Sequence, residues 1–344
     1  MGTQGNVHLV GSVGLKDAES VFRTLAETVG SRAKRYPDGE TDERGYWIRW
    51  QKAVLDNHPQ FTLEAPDQKL EGFKDDLERN FFRVADGVDP ADLTFETLGY
   101  ADYAKSSYAV FARLKSEGVI PPETRFQVSI PTALALVSGF IVFEERAKVE
   151  GAYERALKAD IDAIAATVPH DQLAIQWDVC FEVVGHDGGY PIYFDDILGG
   201  SVERVVRHCA FVPENAEVGI HLCYGDPGHQ HIVEPKDIGT SVAFANAIAA
   251  ASPRPVQWVH MPVPRERSDD AYFAALDGLK LPPETELYLG LVHLTDGAEG
   301  TSKRMDAAAA HVGNFGLATE CGFGRRDPGT IPDLLRLHND LAGG

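Results

Sequence analysis

The chain has 344 residues, a hydrophobic content of 44% and a formal net charge of −20. Its length and apolar content are enough to bury a large core. The acidic balance argues against nucleic acid and anionic membranes as partners, because both require clustered Lys and Arg. No apolar run is long enough to span a bilayer, and residues 1–12 lack the pattern of a secretory signal, so we expect a cytoplasmic protein.

Short strand-like runs alternate with helical patterns along the chain. The predicted strands are Val7–Ser12, Arg32–Tyr36, Arg125–Ile130, Leu173–Asp178, Glu217–Tyr224, Pro255–Val263, Glu286–Leu294 and Gly316–Phe323. The helical patterns fall at Ala18–Val29, Tyr153–Thr167, Ser241–Ala251, Ser302–Val312 and Ile331–Leu341. Runs rich in Val, Ile, Leu and aromatic residues are typical of strands covered on both faces. The alternation predicts an α/β fold, a single (β/α)8 TIM barrel over residues 1–344, with an inserted hairpin and helices at about residues 57–116 between strands 2 and 3.

Reactive side chains gather at the ends of the predicted strands, where barrels of this class carry their chemistry. They belong to Ser12, Asp38, Glu40, Asp178, His221, Cys223, His260, Thr295, Asp296 and Cys321. The four cysteines are too few and too scattered for a disulfide framework, so we expect reduced thiols. Of these, Cys180 and Cys209 are interpreted as structural.

His221 and Cys223 lie two residues apart on a predicted strand and therefore share a face. Cys321 comes at the end of the last predicted strand, which a barrel brings near the other strand ends. Two thiolates and an imidazole favour zinc over magnesium or calcium, and three protein ligands with an open position are typical of catalytic zinc. Simple packing of these side chains in the core is the alternative that the pattern leaves open.

At these residues the sequence resembles the C-terminal catalytic barrel of cobalamin-independent methionine synthase, a family grouped with the uroporphyrinogen-decarboxylase-like barrels. HLCY at residues 221–224 resembles the family's H-x-C zinc motif, and ECGF at residues 320–323 resembles the segment with its late zinc cysteine. The family's remaining zinc ligand is a glutamate, and His260 occupies that place here. The resemblance therefore implies a Zn2+ site formed by His221, Cys223, His260 and Cys321.

The resemblance extends to residues that hold an amino-acid substrate. Ser12 ends a segment similar to the family's I-G-S strand end, which implies a contact with the substrate carboxylate. Glu40, in PDGE, and Asp178, in IQWD, match positions that bind the substrate amino group, although the Glu-Pro that usually follows the Asp is replaced by Val-Cys at residues 179–180. From the residues alone, both carboxylates could instead form salt bridges with Arg44 or Arg35.

The zinc ligands and the two carboxylates together imply a methyltransferase, a zinc-dependent enzyme that transfers an alkyl group, such as methyl, to a thiol. Zinc would activate the thiolate of a substrate such as homocysteine. The chain resembles the short, single-barrel members of the family, which implies methylcobalamin, a corrinoid protein or methyl-folate as the methyl donor.

Two further residues are candidates for proton transfer: His229, in the loop after the zinc strand, and Asp296, after the seventh predicted strand. A solvated loop position and a helix cap are the corresponding structural alternatives. Arg325 and Arg326 are candidates for an anionic substrate group or for a solvated edge.

Two other functions remain open at this stage. Because His260 replaces the glutamate, the zinc could activate water or polarise a carbonyl in a lyase or hydrolase reaction. Alternatively, the barrel could bind a small molecule without catalysis, with His221 and Cys223 merely packed in its core.

Overall fold

The computed structural model describes residues 3–65, 80–225 and 230–343. The strands are β1 Thr3–Val7, β2 Arg35–Pro37, β3 Phe61–Ala65, β4 Phe81–Val84, β5 Arg125–Pro131, β6 Leu173–Val179, β7 Glu217–Leu222, β8 Trp258–Pro262, β9 Glu286–Val292 and β10 Phe315–Thr319. The helices are α1 Ala18–Thr28, α2 Lys52–Asp56, α3 Tyr100–Ser116, α4 Ala133–Phe140, α5 Arg146–Ala165, α6 Phe181–His186, α7 Ile197–Cys209, α8 Gly239–Ala251, α9 Asp270–Phe273, α10 Gly297–Ala309 and α11 Ile331–Ala342.

Eight of the strands form one curled parallel sheet in the order β1-β10-β9-β8-β7-β6-β5-β2. The two end strands, β1 and β2, are joined through isolated parallel bridges, Val7 to Ala33 and Ser12 to Gly39. The predicted barrel is therefore a TIM-barrel-like sheet whose ends meet at separate points, without the continuous ladder that would close it.

The first strand pairs earlier in the chain than predicted, over Thr3–Val7 instead of Val7–Ser12. Beyond Val7 the backbone finds other partners: the carbonyls of Leu9 and Val10 accept hydrogen bonds from the Gln127 side chain at 3.0 and 3.2 Å. At Leu9 and Val10 a side chain thus takes the place of hydrogen bonds between strands. The segment still reaches the mouth of the sheet, where Val13 bridges to Phe323.

The region predicted as an insertion contains a pair of strands and a helix that belong to different parts of the fold. Strands β3 and β4 form a separate antiparallel pair, and the connection between them falls in residues 66–79, outside the described residues. Helix α3 packs against α1 and α5 and therefore belongs to the layer of helices around the sheet. The hairpin alone departs from the alternation of strand and helix; that it is an insertion into a barrel stays a prediction.

Burial follows the pattern expected of a sheet covered by helices. All seven residues of β6 are buried. Helix α11 turns an apolar face, with Ile331, Leu334 and Leu335, towards β1 and β10. In the described part of the chain, no helix has the combination of length and apolarity needed to cross a membrane.

Candidate functional site

The register of three neighbouring strands brings the candidate site residues side by side. His221 on β7 pairs with Asp178 on β6 and with His260 on β8, so the three side chains stand in a row at one end of the sheet. The row continues beyond the strands, because the backbone amide of Cys223 donates to the carbonyl of Val179 at 3.0 Å. Residues predicted separately from three strand ends are therefore neighbours.

The ligand atoms of His221, Cys223 and Cys321 all lie within 4.8 Å of one another. The Sγ atoms of Cys223 and Cys321 are 3.8 Å apart. Two sulfurs bound to one tetrahedral zinc, each with a Zn–S bond of about 2.3 Å, are separated by about 3.8 Å. This set of two thiols and one imidazole therefore fits a zinc ion in both chemistry and spacing.

His260, predicted as the fourth ligand, contacts His221 rather than joining this group. Its Nε2 lies 2.9 Å from the carbonyl oxygen of Thr319, which can only accept, so this nitrogen carries the proton. Burial lowers the pKa of His260 to about 3, so the ring is neutral and its Nδ1 accepts a hydrogen bond from His221 Nδ1 at 2.7 Å. His221 is thereby held with an unprotonated Nε2, the form that binds metal.

Two carboxylates line the same pocket as the three candidate ligands, those of Glu40 and Asp178. Burial raises the pKa of Asp178 to about 7, against hydrogen bonds donated by Gln176 at 2.9 Å and by Trp47 at 3.1 Å. Burial, and next the nearby charge of Asp178, raise the pKa of Glu40 well above its ordinary value. The charges of Arg44 and Arg325 lower the pKa of Glu40 but do not offset burial, so a cationic ligand would favour the ionised form of the two carboxylates.

Arg44 and Arg35, which could have paired with Glu40 and Asp178, form their salt bridges with other carboxylates. Arg44 pairs with Asp38 at 2.9 Å, and Arg35 pairs with Glu217 and Glu286 at the other end of the strands. Asp38 also accepts from the Glu40 amide at 2.9 Å, so that it braces the turn that carries Glu40.

Glu40 is held in an uncommon backbone conformation, with φ of 45° in the left-handed region. Its side chain passes close over Gly11: a Cβ atom at Gly11 would lie 2.3 Å from Glu40 Oε1. Glycine at residue 11 therefore leaves the space in which this carboxylate sits.

Ser12 connects the first strand segment to the loop that carries Cys321. Its Oγ accepts from the Gly324 amide at 3.2 Å, and its carbonyl accepts from the Phe323 amide at 2.9 Å. Ser12 lines the pocket, and a hydroxyl that accepts one hydrogen bond is also able to donate one.

The structure adds Cys180 and Trp47 to the pocket lining, and it places there Arg325, which the sequence offered as a candidate for an anionic substrate group. Cys180 directly follows β6. The sequence indicates this strand end, but Cys180 is interpreted there as a structural residue. Trp47 has a φ of 55° within an irregular helical segment, Asp42–Gln51, and no sequence pattern predicts that kink. Arg325 brings a positive charge near Glu40.

Of the two candidates for proton transfer, the structure describes only Asp296. His229 lies outside the described residues. Asp296 precedes helix α10 and forms two bonds with Arg304, at 2.7 and 3.0 Å; these outweigh burial and lower the pKa of its carboxyl group. Its side chain makes no capping bond to the helix, and it is absent from the described lining of the pocket.

A larger cavity, of about 480 Å3, adjoins the residue before Cys321. His231 forms ion pairs there with Glu320 and Glu234, which outweigh burial and raise the pKa of His231 to about 9. His293 also lines this cavity, with its Nδ1 3.9 Å from Glu320. Glu320 and His293 are not among the predicted site residues, although each directly follows a strand.

Comparisons with known proteins give a likeness of structure alone. No protein-family model and no curated protein matches the sequence. A B12-independent methionine synthase from Shewanella sp. W3-18-1, solved in complex with selenomethionine, has 13% identity and a TM-score of 0.61, over 94% of this chain and 84% of that chain. A putative vitamin-B12 independent methionine synthase from Listeria monocytogenes has 12% identity and a TM-score of 0.52, over 94% and 86% of the two chains. The chain thus shares the fold of methionine-synthase-like proteins.

Proposed function

We propose that this protein is a zinc-dependent enzyme that transfers an alkyl group, such as methyl, to the thiol of an amino acid such as homocysteine. The observation that carries the proposal is the meeting of two features in one pocket. A zinc-type donor set lies beside a pair of carboxylates whose pKa values are raised.

The metal would be held by His221, Cys223 and Cys321, with His260 fixing the tautomer of His221. A bound zinc ion supplies a Lewis acid that favours the thiolate form of a substrate thiol. Hydrogen bonds from the protein support the ligands: the Gly225 amide donates to Cys223 Sγ at 3.2 Å.

The remainder of the pocket matches an amino acid. Glu40 and Asp178 would bind the ammonium group, because its positive charge restores the ionised form of both carboxylates. Ser12 and Arg325, which line the same pocket, would bind the carboxylate group through a hydroxyl and a guanidinium. Two anchors of opposite sign fix the orientation of a zwitterion, and its thiol is then directed to the metal.

The alkyl donor would approach from the larger cavity beside Cys321. Its wall carries His231, held protonated by Glu320 and Glu234, together with Arg265 and Arg326. The candidate donors are methylcobalamin, a corrinoid protein and methyl-folate.

The proposal is tested by incubating zinc-loaded protein with homocysteine and each donor and by following methionine formation. We expect one donor to give product, and Cys321→Ser to lose both zinc and turnover. Stoichiometric zinc without thiol alkylation by any of the donors would refute the transferase assignment.

A further inference from the structure

The carboxylate of Asp178 is held from two sides. Trp47 donates a hydrogen bond from its indole N–H to Asp178 Oδ2 at 3.1 Å, and the Gln176 amide donates to Oδ1 at 2.9 Å. Gln176 is itself fixed by His8, whose Nε2 lies 2.8 Å from the amide oxygen. One donor on each oxygen fixes the plane of this buried carboxylate and leaves its remaining lone pairs for a ligand in the pocket.

Trp47 reaches Asp178 from a backbone conformation that favours glycine. Its φ of 55° and ψ of −118° are close to those of the first central residue of a type II′ turn. A bulky residue is uncommon in this region and persists there only where the surrounding structure over-determines it. Among the described residues, the non-glycine positions with positive φ are Glu40, Asp42 and Trp47, so the disfavoured backbone coincides with the segment that carries side chains into the pocket.

The indole ring of Trp47 also packs in the site. It stacks on Phe181, with ring centroids 6.1 Å apart and an interplanar angle of 23°. Phenylalanine would serve this stacking equally well. Tryptophan differs in carrying an N–H at the edge of its apolar ring, and that N–H is the group that meets Asp178.

We propose that Trp47 is a positioning residue through which the pocket selects the amino group of its substrate, by holding Asp178 in the orientation that accepts an ammonium group. This inference rests on the proposed function, since it assumes a thiol substrate with an amino group. Without the indole N–H, Asp178 Oδ2 loses this donor, and the carboxylate is less firmly oriented. Donated hydrogen bonds also favour the charged form of a carboxyl group, which is the form that attracts a cation.

Calorimetric titration of zinc-loaded protein with homocysteine and with 4-mercaptobutyrate, a thiol without the amino group, tests this role. Trp47→Phe keeps an aromatic ring against Phe181 and removes the N–H. We expect the affinity ratio of homocysteine to 4-mercaptobutyrate to fall about 10-fold in this variant, with zinc content unchanged. Trp50→Phe is the matched control, because Trp50 lies in the same segment but packs edge-on against Tyr100 and Tyr103, and it should leave the ratio as it is.

The outcomes separate the two claims. If the unsubstituted protein prefers homocysteine and Trp47→Phe keeps that preference, the inference is overturned while the proposed function stands. Equal weakening of both compounds in Trp47→Phe also overturns it, because Trp47 would then act on the pocket as a whole. If the unsubstituted protein binds the two compounds equally or binds neither, the proposed function itself fails. Trp47→Gly serves if the phenylalanine variant does not fold, because glycine suits the backbone at residue 47, and the same fall in the ratio is expected.

Discussion

His260 accepts a hydrogen bond from His221 across two neighbouring strands, with their Nδ1 atoms 2.7 Å apart. The opposite nitrogen of His260 donates to Thr319, two residues before Cys321 on the chain. One buried ring thus connects β7, which carries His221 and leads into Cys223, with the segment that carries Cys321, the other candidate thiol ligand. In the proposed zinc site, its role would be to fix the orientation and tautomer of His221.

Replacing His260 with alanine should therefore weaken zinc binding while leaving the ligands in place. We expect a loss of about 10- to 100-fold in zinc affinity, as for other groups that orient a metal ligand. Chelator competition measures it. The control is His338→Ala, which removes another fully buried histidine, bonded to the helix carbonyl of Leu334, and should leave zinc affinity unchanged. Equal losses in the two variants would show that His260 acts only through the stability of the fold.

Gly11→Ala should displace the Glu40 carboxylate, because the new Cβ would lie 2.3 Å from Oε1. Loss of a charge-assisted hydrogen bond costs about 1.5–3 kcal/mol, so homocysteine should bind about 10- to 100-fold more weakly. Zinc content should not change. Calorimetric titration checks the affinity, with Gly313→Ala as the control because no atom lies within 4 Å of a Cβ added there. Unchanged affinity in Gly11→Ala would remove Glu40 from the ammonium site.

The preference for an amino group should depend on pH. The pKa of Asp178 is about 7 without a ligand, and a bound ammonium lowers it, so binding releases a proton. The affinity ratio of homocysteine to 4-mercaptobutyrate, which lacks the amino group, should therefore rise as the pH increases through 7. Because both compounds carry the thiol, the ratio removes the titration of the sulfur. A ratio that is flat between acidic and alkaline pH would contradict ammonium binding by this pair.

Glu40→Gln should stabilise the metal-free protein at alkaline pH. The pKa of Glu40 is raised on folding, so the stabilising contribution of this group is present at low pH and is lost as the pH increases above the range of an unfolded glutamate. An uncharged glutamine removes that loss. Thermal unfolding at pH 6 and pH 8 should show a smaller decrease in Tm for Glu40→Gln than for the unsubstituted protein. Glu284→Gln, at an exposed loop position, should leave the decrease as it is.

Much of the site followed from periodicity and from the position of strand ends. The spacing of His221 and Cys223 placed both on one face of a strand, and parallel strands brought Cys321 near them. Most predicted strands match observed ones in position, most clearly β6–β9, which are buried on both faces and have distinct apolar composition.

The remaining features depend on contacts that one sequence does not display. The part played by His260 is set by a hydrogen bond between strands and by a carbonyl distant in sequence. The position of Trp47 depends on a backbone kink, and the start of the first strand depends on Gln127 replacing ladder hydrogen bonds. Cys180 was visible at a strand end, but only the register of β6 and β7 places it next to Cys223.

The most direct measurement is zinc-edge X-ray absorption on chelator-free protein before and after addition of L-selenohomocysteine. Selenium distinguishes the incoming atom from the cysteine sulfurs of the protein. The account predicts stoichiometric zinc with sulfur and imidazole ligands, and a new zinc–selenium shell when the ligand is added. Protein without zinc, or zinc whose surroundings contain no selenium at saturating ligand, would contradict activation of a substrate thiol at His221, Cys223 and Cys321.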